Sequence, residues 1–102
     1  MSDRTDIMNI DKLNNFRYQG LGIPQYMYLG ILRYLNEKIL PGSFLRAVIS
    51  NDLREAVNCA DDTNQKLLHV YVCFFYNETP AVCWGSPEKM KAWIDSKETV
   101  DA

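Results

Sequence analysis

What this chain has least of is catalytic apparatus. It holds one histidine, His69, and three cysteines in 102 residues, and no Ser-His-Asp set, Cys-His pair or glycine-rich phosphate loop can be assembled from it. An ordinary hydrolase or kinase is therefore not expected. Cys59, Cys73 and Cys83 are odd in number and widely spaced, with no C-x-x-C pair to hold zinc or run thiol exchange, so reduced, buried thiols are expected. His69 and Cys73 stand four apart on one helical face, but a metal site would need further ligands, and no metal or cofactor is expected. The most apolar stretch, VYVCFFYN at residues 70–77, is far short of the ~20 apolar residues of a membrane span. The start, MSDRTD, carries no apolar signal region, so the chain is expected in the cytoplasm. No excess of either charge exists: 11 Lys and Arg against 13 Asp and Glu leave a net −2, interleaved along the chain. That argues against sequence-specific nucleic-acid binding, which needs a clustered basic face.

What is present suits a small core. At 47% hydrophobic and 12% aromatic, the chain is long enough for one domain. The pattern predicts an all-α fold, a compact bundle of about four short helices with an N-terminal arm. Residues 1–22 form the arm, in which Ile7, Met8, Ile10, Leu13 and Phe16 can make a short amphipathic helix before Gly20 and Gly22; residues 23–95 form the helical domain, and 96–102 a frayed tail.

Pro24 suits the first turn of a helix running to the Leu40-Pro41-Gly42 break, with Met27, Ile31, Tyr34 and Leu35 on one stripe, Tyr28 and Leu32 widening it, and Asn36 facing away. Ser43 is a plausible N-cap for a second helix to about Ala60, whose Leu45, Val48, Ile49, Leu53, Ala56, Val57 and Ala60 recur at helical spacing as the core element. Asp62 with Gln65 fits a capping box for a third, apolar on nearly its whole circumference. VYVCFFY could also read as a strand, but a lone strand would have nothing to pair with. Ser86-Pro87-Glu88 opens a final helix with Met90, Trp93 and Ile94 inward.

Asn51-Asp52 is unusual inside a helix, because both side chains compete for the backbone. With Arg46 a turn behind and Asp61-Asp62 at the helix end, the pair can build a polar pocket; the plainer reading is that they meet water or cap a loop. Asp52, Glu55, Asp61 and Asp62 fall in no metal spacing. Arg33, Arg46 and Arg54 would meet Tyr34, Tyr76 and Trp84 only if the helices fold back on one another; arginines with aromatic faces grip phosphates and stack bases. Trp84, in a turn beside Gly85, either plugs the core or anchors an interface. An anion at the start of the last helix would compete with Ser86 as cap.

The run IPQYM, RYL, PGSFLRAVISNDL, AD before an Asn, YNETP, CWGSPE and a closing Trp resembles a group of small tailed-bacteriophage and prophage proteins, over residues 23–94. The resemblance implies a phage setting and no particular activity. Arg46, Asn51, Asp52, Arg54, Asp61, Asn64, Tyr76 and Trp84 are the candidate ligand-binding residues. The expected function is that of a non-enzymatic phage accessory protein that counters host machinery by binding. In one version a homo-oligomer sequesters a small nucleotide-type immune signal; in the alternative the chain binds a host or phage protein directly.

Overall fold

The computed structural model describes residues 7–96. Among them are seven α-helices: α1 Ile10–Asn15, α2 Tyr28–Glu37, α3 Ser43–Ile49, α4 Leu53–Cys59, α5 Asp62–Lys66, α6 Leu68–Glu78 and α7 Pro87–Asp95, with 3-10 turns at Gln25–Met27 and Ala81–Cys83. No strand occurs among the described residues, and VYVCFFY is helical. The fold is all-α, as the periodicity predicts, but the count exceeds about four. Two predicted helices are each broken into two, and the arm carries α1.

The predicted second helix breaks at Ser50-Asn51-Asp52 into α3 and α4. Asn51 adopts a left-handed conformation, φ +64°. Its amide donates to the Val48 carbonyl (3.1 Å) and the Asp52 amide donates to Ala47 (2.8 Å), the paired bonds of a Schellman stop. Asp52 then caps the next helix by accepting from the Glu55 amide at 3.2 Å. The dipeptide that weakens a helix interior thus serves as one helix's stop and the next one's start. At the other end of α3 the N-cap is Gly42, not Ser43.

The predicted third helix divides at Leu67 into α5 and α6. Asp61, rather than Asp62, caps it by accepting from the Asn64 amide at 2.7 Å, and Gln65 donates its side-chain amide to the Val57 carbonyl instead of closing a capping box. Pro24 precedes the 3-10 turn as its cap, and α2 stops at Lys38, which is left-handed at φ +58° with its ammonium 4.7 Å from the centre of the Trp93 ring.

The core gathers α2, α3 and α6. Ile31, Tyr34 and Leu35 from α2 meet Leu45 and Ile49 from α3 and Val70, Tyr71, Phe74 and Phe75 from α6, all buried. Aromatic pairs lock it edge to face: Phe44 on Tyr71 at 5.0 Å and Phe16 on Phe74 at 5.3 Å. Buried polar atoms find partners, as they must in a small core: the Tyr34 hydroxyl donates to the Cys83 carbonyl (2.6 Å), and the Trp93 indole donates to the Tyr34 carbonyl (2.9 Å). The arm is held by a residue predicted to face away. Asn36 is half-buried, accepts from the Met8 amide and donates to the Met8 carbonyl, while Met8 and Leu13 sink fully into the core. Residues 1–6 of the arm and the tail expected beyond Ser96 lie outside the described residues.

Candidate functional site

The Asn51-Asp52 corner shapes an apolar surface between α4 and α6. By turning α4 away from the line of α3 it carries Leu53 and Val57, predicted core residues, to the outside, where they are 71% and 42% exposed. Ala56 is the side chain of α4 that is buried. Across from them α6 shows Val72, 45% exposed, and half-buried Leu68. Between the two helices lies a cavity of about 280 Å³, floored by Ala47, Val48 and Ala56 and walled by Leu53, Leu68 and Val72. Asn51, Asp52 and His69 supply its polar rim. Exposed single aliphatics are ordinary on a protein surface, but aliphatic walls around an apolar floor are a place for another apolar group.

The eight candidate residues do not converge on one site. Arg46, Asn51, Asp52 and Arg54 surround the α3–α4 corner. Arg46 donates to the Ser43 hydroxyl at 3.4 Å and shares a hollow of about 190 Å³ with Ser50, Asp52 and Glu55. Arg54 borders a second hollow, of about 500 Å³, with Asp52, Glu55 and Asn58. Asp52 and Glu55 line both hollows, and their charge would repel a phosphate drawn to either arginine.

Asp61 and Asn64 stand apart from that corner, at the start of α5. Asp61 accepts from the Tyr26 hydroxyl at 2.6 Å, and buried Asn64 accepts from the Tyr71 hydroxyl at 2.6 Å. The Tyr26 hydrogen bond, then the Asn64 amide, hold the Asp61 carboxyl below its usual range; the same contact raises the Tyr26 phenol. Burial pushes the Tyr71 phenol up. These contacts join the loop before α2 to α5 and α6, so both residues have structural partners.

Tyr76 and Trp84 are separated from both groups and differ in burial. Tyr76 stands 75% exposed on α6. Trp84 is half-buried, its ring tilted against Phe75 at 5.9 Å, and Gly85 beside it, at φ +115°, donates its amide to the Ile49 carbonyl at 2.7 Å. Of the two roles expected for Trp84, this contact is that of a core plug. Ser86 accepts from the Lys89 amide at 3.0 Å, so the α7 cap is in use.

Of the thiols only Cys83 is buried, with its pKa raised by that burial; Cys59 and Cys73 are half-buried, which corrects the expectation of three buried thiols. The Cys59 thiol donates to Glu55 at 3.2 Å, which raises its pKa. Among the described residues no three His, Cys, Asp or Glu side chains are placed to hold a metal ion, and no helix is long and apolar enough to cross a membrane.

Sequence reasoning missed the α4–α6 groove because it assigned Leu53 and Val57 inward. The signal was the Asn-Asp pair itself, a stop-and-start sequence read as a polar feature of one continuous helix. No protein-family model, no curated protein and no solved structure matches the chain.

Proposed function

We propose that this chain acts by binding, without catalysis, and that its binding surface is the apolar groove between α4 and α6, occupied by an apolar element of a protein partner. The observation that carries this reading is the exposure of Leu53 and Val72 on the walls of the cavity. A folding chain gains about 0.8 kcal/mol for each CH₂ it buries, and the α3–α4 corner forgoes that gain at two residues of good core type. A protein partner of matching apolarity recovers it. The phage resemblance supplies the setting: an accessory protein in the cytoplasm of an infected cell, directed at a host or phage protein.

The nucleotide reading is favoured by one observation, the presence of Arg46 and Arg54 at two neighbouring hollows of the α3–α4 corner, and is opposed by Asp52 and Glu55, which line both. It ranks second for that reason. Uptake of a linear or cyclic nucleotide in native mass spectrometry, lost in Arg46→Ala, would reverse the ranking.

The test places a photo-crosslinking amino acid at position 72 and, as control, at exposed Glu88 on α7. In phage-infected cells the groove position is expected to give discrete adducts that the control lacks, and Leu53→Glu should remove them. Equal labelling from both positions, or none from position 72, would discard the groove.

A further inference from the structure

We infer that the exposed face of α6 is self-complementary and that a second copy of this chain packs on it antiparallel, about a two-fold axis between Val72 and Cys73. The inference rests on the reading of the α4–α6 groove as a binding surface and names its occupant.

The exposed residues of α6 are His69, Val72, Tyr76 and Asn77, with Cys73 half-buried among them. Val70, Tyr71, Phe74 and Phe75 fill the other side of the helix and belong to the core. Positions 69, 72, 73 and 76 follow the i, i+3, i+4, i+7 spacing of a single stripe, the geometry by which one helix seats against another. From Leu67 to Asn77 there is no Lys, Arg, Asp or Glu, so this stripe meets an identical stripe without burying a charge.

Antiparallel pairing about that axis sets each position n against 145 − n. Val72 of one copy then meets Cys73 of the other, and His69 meets Tyr76, each twice. The imidazole and the phenol hydroxyl are a hydrogen-bonding pair in neutral form, so the polar ends of the stripe are satisfied by the symmetry that buries its centre. Tyr18 packs edge-on against His69 at 5.7 Å, which limits the imidazole's rotation before a partner arrives. The groove flank contributes Leu53 beside the stripe. With the α6 stripe, that makes a handful of side chains, few against the roughly 20–30 residues on each side of a standard stable interface. The dimer is accordingly weak and concentration-dependent, and roughly 10–100 μM is the range over which it is sought.

Sedimentation equilibrium of the full chain across that range tests the pairing. The wild-type chain is expected to pass from monomer to dimer. Tyr76→Lys, which puts a charge in place of the most exposed side chain of the stripe, is expected to weaken association by about tenfold or more; because Tyr76 is 75% exposed, its melting curve should match the wild type's at a concentration where both are monomers. The double variant His69→Glu with Tyr76→Lys is expected to restore dimerisation, since antiparallel register sets the new carboxylate at position 69 against the new ammonium at position 76 of the other copy. Parallel register would set the two carboxylates at position 69 against each other and leave the double variant monomeric.

A chain that stays monomeric throughout, a dimer indifferent to Tyr76→Lys, or a double variant no better than the single one would each overturn the inference. Adducts from position 72 to a different protein, given by a monomeric chain, would overturn the second copy alone and leave the groove standing. No adducts and no dimer would overturn both.

Discussion

Asn51 shows how one residue directs the surface of this protein. Its left-handed backbone is tolerated by Asn and Gly and strongly disfavoured by β-branched side chains. Asn51→Gly should therefore leave stability nearly unchanged, whereas Asn51→Val should cost about 1–2 kcal/mol in urea unfolding. A second residue-scale effect concerns acid. The Asp61 carboxyl is held below its usual range by the Tyr26 hydroxyl and the Asn64 amide, so the folded state binds its proton less readily than the unfolded chain does. Stability from this contact is present above the unfolded carboxyl's pKa of about 3.9 and is lost as pH falls through the lower folded value. Tyr26, raised, behaves oppositely: its share is present below the unfolded phenol's pKa of about 10 and is lost as pH rises above it. Melting temperatures of the wild type and Tyr26→Phe should thus differ by a constant amount between about pH 5 and 9 and converge at both extremes.

At the scale of elements, α3 and α4 carry one hydrophobic stripe in sequence and divide it in space. Leu45, on α3, is 3% exposed, while Leu53, on α4, is 71% exposed. Leu45→Ala should destabilise by about 2–5 kcal/mol through a lost core contact and the cavity left behind. Leu53→Gln should stay within about 0.5 kcal/mol of wild type while abolishing groove adducts. Equal destabilisation by the two would mean that the stripe is continuous after all. Chemical denaturation followed by far-UV circular dichroism separates these outcomes.

Among the described residues one core packs every helix but α5, which is tied to it through the buried Asn64 that accepts from the Tyr71 hydroxyl. The radius of gyration, 13.6 Å, is close to the about 13 Å of a single compact domain of this length. The two tryptophans report from different elements: Trp84 lies on Phe75 after the second 3-10 turn, and Trp93 donates from α7 to the Tyr34 carbonyl on α2. Because both contact the same core, tryptophan fluorescence and far-UV circular dichroism should give coincident unfolding midpoints. Separate midpoints would show that α7 melts on its own.

Several features needed no structure to be read. Apolar residues at three- and four-residue spacing determine that the chain is helical, because a helix with an apolar stripe must bury it. Ser86-Pro87-Glu88 marks the start of α7 in either reading, because capping is local chemistry between neighbours in sequence. Tertiary structure decided what depends on distant partners: Asn36 turned inward to hold Met8, Asp61 and Asn64 engaged by Tyr26 and Tyr71, and above all the direction of α4. Periodicity records which residues share a helical face but not whether the helix continues, and a single left-handed residue at Asn51 was enough to turn Leu53 and Val57 from the core to the surface.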